Sequence, residues 1–252
     1  AGAWRLPNVN DLASLVNQGA AIPATWLKNS TQGFGASVQA TAYWSSTTYA
    51  DNTVRVWFVN MYSGRVVSGS KASVNYYVWP VRGTTALPAQ IPQTGQTTSY
   101  AANDDGVQQK GTVGTNASGR FIAGSGAEAD CITDQQTGLM WVKDLNTVNS
   151  GNAASSWSNA VSIASGTWCG HSDWRLPNRN ELRSLVNYGQ SDIATWLNAQ
   201  GFSNLRALAY WSSTTDASVA ANAWYVYMSD GTVALAAKAG VSIYVWPVRG
   251  GQ

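Results

Sequence analysis

Trp4-Arg5-Leu6-Pro7-Asn8 returns as Trp174-Arg175-Leu176-Pro177-Asn178, and Tyr43-Trp44-Ser45-Ser46-Thr47-Thr48 returns as Tyr210-Trp211-Ser212-Ser213-Thr214-Thr215. A third stretch, Tyr77-Val78-Trp79-Pro80-Val81-Arg82-Gly83, returns as Tyr244-Val245-Trp246-Pro247-Val248-Arg249-Gly250. The offset is 170 residues at the first motif, from 4 to 174, and 167 at the others, from 44 to 211 and from 79 to 246. A solenoid unit repeats every 20–50 residues or so, so this spacing marks a duplicated domain. The second copy has about fifty residues before its Trp-Arg-Leu-Pro-Asn that the first lacks. The chain opens at Ala1 without Met, so the first copy reads as the later part of a domain with a segment expected upstream.

Within each copy the same local signals recur. Asn8 or Asn178 is a good helix N-cap, and Asp11 or Glu181 three residues later completes a capping-box pattern. Leu12, Leu15 and Val16, like Leu182, Leu185 and Val186, follow at helical spacing, and Gly19 or Gly189 ends the run. A short apolar element carries Thr25-Trp26-Leu27 or Thr195-Trp196-Leu197. The Tyr-Trp-Ser-Ser-Thr-Thr stretch reads as a strand. Strands beginning at Val56-Trp57-Phe58-Val59 and Ala223-Trp224-Tyr225-Val226 turn at Ser63-Gly64 or Asp230-Gly231, a hairpin signal. Tyr-Val-Trp-Pro-Val-Arg reads as a final strand. The second copy adds a strand at Thr137-Gly138-Leu139-Met140-Trp141 and a helix over 156–164 with Trp157, Ala160, Val161 and Ala164 on one face. The expected fold class is therefore α+β, with two helices and mainly antiparallel strands per full domain. The expected boundaries are a partial domain at 1–83, a Thr-, Gln-, Gly- and Pro-rich linker or strap at 84–118, and a complete domain at 119–252.

Charged residues make up only 11% of the 252, well below an ordinary soluble domain, while 13 Trp and 11 Tyr supply large apolar anchors. This balance suits a secreted or surface-exposed protein. The net charge of +2 is uneven: residues 1–83 hold six Lys/Arg against two acids. That density is far from a nucleic-acid-binding patch, so an anionic glycan or surface protein is the expected partner of the first copy, and no nucleic acid. No stretch approaches the ~20 apolar residues of a membrane span. Cys131 and Cys169 both lie in the second copy, where they form an intradomain disulfide or stay as two buried thiols; an oxidising compartment favours the disulfide.

The motifs Trp-Arg-Leu-Pro-Asn, Tyr-Trp-Ser-Ser-Thr and Trp-Pro-Val-Arg-Gly, preceded in the second copy by Thr-Gly-Leu-Met-Trp, resemble the Lcl C-terminal domain family. That family is named for a bacterial collagen-like surface adhesin and occurs in bacterial surface and secreted proteins. The resemblance covers nearly all of 120–250 and the later part of a domain at 4–83. It implies tandem C-type-lectin-like domains, the first lacking its N-terminal half, with glycan-dependent adhesion as precedent.

Chemistry-bearing residues are few. His171, Ser172 and Asp173 are consecutive and cannot form a relay in which each group bonds the next. No nucleophile elbow, metal-spaced His/Cys cluster or phosphate loop appears, so no enzyme, no cofactor and no metal are expected. Asp51-Asn52 and Asn103-Asp104-Asp105-Gly106 offer oxygen ligands of the calcium type, but turn formation explains them. Asn29-Ser30-Thr31 and Asn116-Ala117-Ser118 match glycosylation acceptors. The recurring Arg5/Arg175 and Arg82/Arg249 are expected to bond carbonyls or the helix carboxylate, and the recurring Trp residues to pack in the core. What differs between copies then marks a candidate ligand-binding surface in the first: Tyr49, Asn52, Arg55, Arg65, Lys71, Asn75 and Tyr76, on loops of a rigid scaffold. In the second copy these stretches are mostly alanine, with Lys238 the shared cation. The leading expectation is a non-enzymatic extracellular or cell-surface recognition protein. The alternative is a structural subunit of a filament or surface layer, whose incomplete first domain self-associates with a neighbouring chain.

Overall fold

The computed structural model describes residues 3–72, 75–83, 91–113 and 119–250. The first copy runs through helices α1 (Val9–Ala13) and α2 (Pro23–Leu27) into strands β1 (Ala42–Thr48), β2 (Arg55–Asn60) and β3 (Val66–Ser70). A strap carrying α3 (Asp105–Gln108) follows. The second copy adds β4 (Phe121–Ala123), β5 (Cys131–Asp134), β6 (Leu139–Val142), the short turn α4 (Asn149–Asn152) and helix α5 (Trp157–Ala164). It then repeats the scheme as α6 (Arg179–Ser184), α7 (Ile193–Ala199), β7 (Ala209–Thr215), β8 (Asn222–Tyr227) and β9 (Val233–Ala237), and closes on β10 (Val248–Arg249). The class is α+β with antiparallel sheets.

The repeated motifs recur together because they bond one another. Asn8 and Asn178 form the expected capping boxes with Asp11 and Glu181. Thr47 and Thr214 each accept a further orphan donor of the helix start with their hydroxyl oxygens, from the N–H of Val9 and of Arg179, both at 3.0 Å. The pairing of β1 with β2 and of β7 with β8 is interrupted between Trp44 and Thr48, and between Trp211 and Thr215. There the hydroxyls of Ser45 and Ser212 donate to the carbonyls of Trp57 (2.7 Å) and Trp224 (2.9 Å), standing in for ladder bonds lost at the bulge. The backbone N–H groups of Ser46 and Ser213 donate to Pro7 and Pro177, each at 2.8 Å. Ser-Ser-Thr is thus a clamp on Arg-Leu-Pro-Asn.

The two copies share one sheet. Its order is β1-β2-β3-β9-β8-β7, antiparallel throughout, and the halves meet where buried Val66 pairs with buried Val233. A second sheet, β10-β6-β5-β4, belongs to the second copy alone. It covers an aromatic core in which Trp246 lies 5.2 Å from Trp141 and 5.1 Å from Phe202, ring centre to ring centre.

Three expectations need correction. The Thr195-Trp196-Leu197 element is itself a helix, α7, capped by Asp192 through the Thr195 N–H, so the second copy has more than two helices. Val161 points outward and is 37% exposed, while Ala160 and Ala164 are the buried positions, because the covered face of this helix of about two turns is narrow. The final Tyr-Val-Trp-Pro-Val-Arg stretch is a true strand only at β10. Elsewhere it makes single bridges such as Tyr43 with Tyr77 and Arg5 with Val81, since Pro80 and Pro247 cannot donate to a ladder.

Cys131 and Cys169 form a disulfide that ties β5 to the segment entering Trp-Arg-Leu-Pro. The closed loop has a sequence separation of 38. Reduction is expected to lower stability by about 2–4 kcal/mol, seen as a shift of the denaturant midpoint with and without reductant; an unchanged midpoint would contradict the brace.

Candidate functional site

Identical motifs meet different surroundings in the two copies. Trp174 is 3% exposed and Trp4 66%; Val245 is 1% exposed and Val78 60%; Phe202 is 3% exposed and Phe34 41%. Trp211 and Trp246 are fully buried, whereas Trp44 and Trp79 are only partly so, and Tyr77 is exposed. The expectation that the recurring Trp residues all pack in the core therefore holds in the second copy and fails at Trp4. In the second copy residues 119–168 lie over this face. Among the described residues nothing takes their place on the first. The bare face is nevertheless built like the covered one: Phe34 meets Trp79 edge-on at 5.2 Å, as Phe202 meets Trp246.

Beside it opens a cavity of about 700 Å³ lined by Trp4, Trp44, Ser45, Val56 and Lys71, with Ala101–Asp104 of the strap as its far wall. The strap is held by bonds that local sequence could not show. The Gln96 side-chain amide donates to the Thr48 carbonyl at 2.7 Å and its oxygen accepts from the Thr48 N–H at 3.0 Å, as a neighbouring strand would. Buried Asp105 accepts the hydroxyls of Thr47 (2.7 Å) and Thr94 (2.5 Å). Asp104 caps α3 and also accepts from the N–H groups of Tyr100 and Ala101. These two carboxylates are thereby engaged in holding the turn. Among the described residues no three His, Cys, Asp or Glu side chains gather as a metal site.

Burial pushes the Asp105 carboxyl above its ordinary value, and the Thr94 and Thr47 hydroxyls pull it partly back. A carboxyl raised in the folded state stabilises most below its unfolded pKa of about 4. That contribution is lost as pH climbs from there through the raised value. Asp105→Asn is therefore expected to remove a fall in stability over that window. Denaturant midpoints of both forms from pH 3 to 8 would check it; parallel profiles would contradict it.

The seven candidate residues do not gather in one place. Tyr49, Asn52 and Arg55 line a cleft of about 470 Å³ together with Asp51, Ser68 and, from the second copy, Asp230 and Thr232. There Arg55 donates to the Ser68 hydroxyl (3.1 Å) and carbonyl (2.7 Å), and its guanidinium sits 5.9 Å from the Tyr49 ring centre. Tyr49 packs edge-on against Trp57, and burial raises its phenol, as do Asp230 and Asp51, while Arg55 opposes them. Lys71 stands at the larger cavity, donating to the Thr48 hydroxyl at 2.9 Å. Burial lowers its ammonium and Asp104 opposes the shift. Tyr76 packs at a tilt against Trp44 (4.7 Å) and Phe58 (4.5 Å), ring centre to ring centre. Arg65 and Asn75 are exposed and line neither cavity. The stretch between Arg65 and Tyr76 also includes residues 73–74, which lie outside the described residues, as does the Asn116 acceptor triplet.

Of the recurring arginines, Arg5 and Arg175 bond the helix carboxylate, and Arg82 and Arg249 do not. Arg5 pairs with Asp11 at 2.6 Å, and Arg175 holds Glu181 through two nitrogens at 2.7 and 2.6 Å. Arg249 pairs instead with Asp173 at 2.8 Å, and Arg82 lies over the Trp4 ring. His171 bonds Glu128 at 2.8 Å. One residue escaped the sequence reading altogether: Arg179, buried between the copies, where the first copy has Val9. It donates to the Gln18 side chain at 2.6 Å and to the Gly64 carbonyl, and its guanidinium lies 4.0 Å from the centre of the Trp224 ring. Burial lowers its pKa well below the ordinary value. The available signal was a charge replacing an apolar residue inside an otherwise repeated motif.

These features define a tandem α+β protein whose copies share an antiparallel sheet and differ in whether their aromatic face is covered. The chain belongs to the Lcl C-terminal domain family, whose sequence model matches residues 1–82 and 130–249. Comparison with curated proteins finds no match. No helix among the described residues is long and apolar enough to cross a membrane.

Proposed function

We propose that the protein is a non-enzymatic structural subunit of an extracellular or cell-surface assembly, and that the first copy is its contact with neighbouring chains. The observation that carries this reading is the contrast between Trp4 and Trp174: one motif, one local geometry, one side chain bare and the other covered. Exposed aromatic surface of this extent favours association. The disulfide and the low content of charge suit an oxidising, extracellular setting. A C-type-lectin-like fold for each copy fits the return of the chain to its start, through the Arg5–Val81 and Arg175–Val248 bridges. Electron microscopy of the native material tests the assembly; ordered filaments or arrays are expected, and only dispersed particles would dispose of it.

A second reading, recognition of a glycan or other surface ligand, draws on the cleft that gathers Tyr49, Asn52 and Arg55. The cleft also contains Asp51 and Asp230, and Arg55 already serves Ser68, so it suits a neutral, hydroxyl-rich ligand better than an anion. A glycan array with wild type and Arg55→Ala would show binding that the substitution removes; no binding by wild type would end this reading.

A further inference from the structure

We infer that the joint between the copies is a binding site for a small monovalent anion, of the chloride class, held by Arg179, Arg183 and Tyr188. The segment that opens each copy is closely repeated, from Asn8 to Gly19 and from Asn178 to Gly189. Within it three positions change character: Val9, Ala13 and Gln18 of the first copy become Arg179, Arg183 and Tyr188 in the second. All three replacements turn onto the first copy. Arg179 donates to Gln18 and Gly64, Arg183 lies 3.4 Å from the Asn10 side-chain oxygen, and the Tyr188 ring packs edge-on against Trp57 at 5.1 Å.

The positive charge gathered there is not matched by the protein. Arg5, Arg120 and Arg175 are each drawn out of solvent with a carboxylate, Asp11, Asp134 and Glu181. Arg179 is 1% exposed, and among the described residues neither it nor Arg183 forms an ion pair. Four residues apart on α6, the two are neighbours, and Arg183 adds to burial in lowering the Arg179 pKa. The oxygens of Gln18, Gly64 and Asn10 accept hydrogen bonds without neutralising either guanidinium. Asp230, which acts on Tyr188, accepts from the Thr232 N–H and hydroxyl with its two oxygens, each at 2.9 Å. Donors are also left over. Arg179 Nε is buried without an acceptor among the described residues, and the Tyr188 O–H, beside the Arg183 guanidinium, likewise finds none. Burial pushes the Tyr188 phenol up to about 12 against the pull of Arg183, so it keeps its proton as a donor. A guanidinium stays ionised, and a buried charge without a counter-charge is strongly destabilising. Water would complete the hydrogen bonds and leave both charges; an anion answers both needs. Three side chains suit a spherical halide, whereas phosphate, with more oxygens and a second charge, calls for more donors. Arg183 is only partly buried and gives the ion its way in from solvent.

The test is a halide titration of the intact 252-residue protein at constant ionic strength, exchanging the larger isethionate for chloride or bromide. The denaturant midpoint should rise with either halide, following the occupancy of one site on the folded chain. A crystal grown in bromide should show anomalous scattering in contact with Arg183 and Tyr188. Arg183→Met should weaken halide binding at least about tenfold, and Tyr188→Phe about two- to tenfold. Arg206→Met, which alters an exposed cation elsewhere in the second copy, should leave it unchanged. If either joint variant fails to fold, the wild-type titration and the bromide position still decide. A midpoint indifferent to halide, or one that responds equally in Arg183→Met, would overturn the site. So would a water molecule in that place in the bromide crystal, or bromide there without a response in solution, which is binding at crystal concentration only.

Discussion

Replacing Trp246 with alanine is expected to cost about 3–5 kcal/mol, whereas the same change at Trp79 should cost about 1–2 kcal/mol. The two residues occupy the same place in the same motif. Trp246 is fully buried, meets Trp141, Phe202 and Tyr210, and donates its indole N–H to the Val142 carbonyl at 3.0 Å. Its truncation opens a cavity and leaves that carbonyl without its donor. Trp79 is partly buried at the edge of the core, with Phe34 and Tyr43 as its ring contacts among the described residues. The difference therefore measures what the β6 side contributes to a Trp-Pro-Val-Arg motif. Chemical denaturation of both variants gives it directly; equal costs would mean that the first copy's face is not bare.

The second large effect is expected at Arg179. Arg179→Ala should cost about 3–5 kcal/mol, because it leaves the Gly64 carbonyl and Gln18 without their donor and a void against Trp224. Arg179→Met keeps the aliphatic stem packed on that ring and removes the burden of a buried charge whose Nε finds no partner. Its cost should be about 1–2 kcal/mol. The side chain is a rivet between copies whose strands meet at Val66–Val233 and whose cores also touch, Trp57 lying edge-on to Tyr188 at 5.1 Å. Proteolysis should accordingly release the copies from one another sooner in Arg179→Ala than in Arg179→Met. Equal losses in both variants would show that charge, not packing and bond geometry, governs the joint.

Much of the fold was legible where the chain repeats itself. The capping boxes at Asn8 and Asn178, the strands of the Tyr-Trp-Ser-Ser-Thr-Thr motif and the carboxylate partners of Arg5 and Arg175 follow from local spacing and from the rule that buried charge needs a partner. What remained hidden depends on long-range contacts. Nothing near Gln96 announces that its amide imitates a strand against Thr48, and nothing near Asp105 that two threonine hydroxyls from distant segments converge on it. The union of the copies through β3 and β9 was hidden for the same reason, since a strand edge does not name its neighbour. Comparing the copies drew attention to the loops that differ, and those residues are spread over separate surfaces. The more informative difference lies in surroundings rather than identity: Trp4 and Trp174 are the same residue in the same motif, with and without cover.

That difference is also open to direct measurement. Hydroxyl-radical footprinting of the native material, set beside the isolated 252-residue chain, reads the solvent access of Trp4 and Trp174 in one experiment. In the isolated chain Trp4 should react readily and Trp174 hardly at all. In the native material Trp4 should fall to the level of Trp174, with Val78 and Phe34 protected alongside it. Trp4 reacting equally in both samples would contradict the claim that the first copy's face is where neighbouring chains dock.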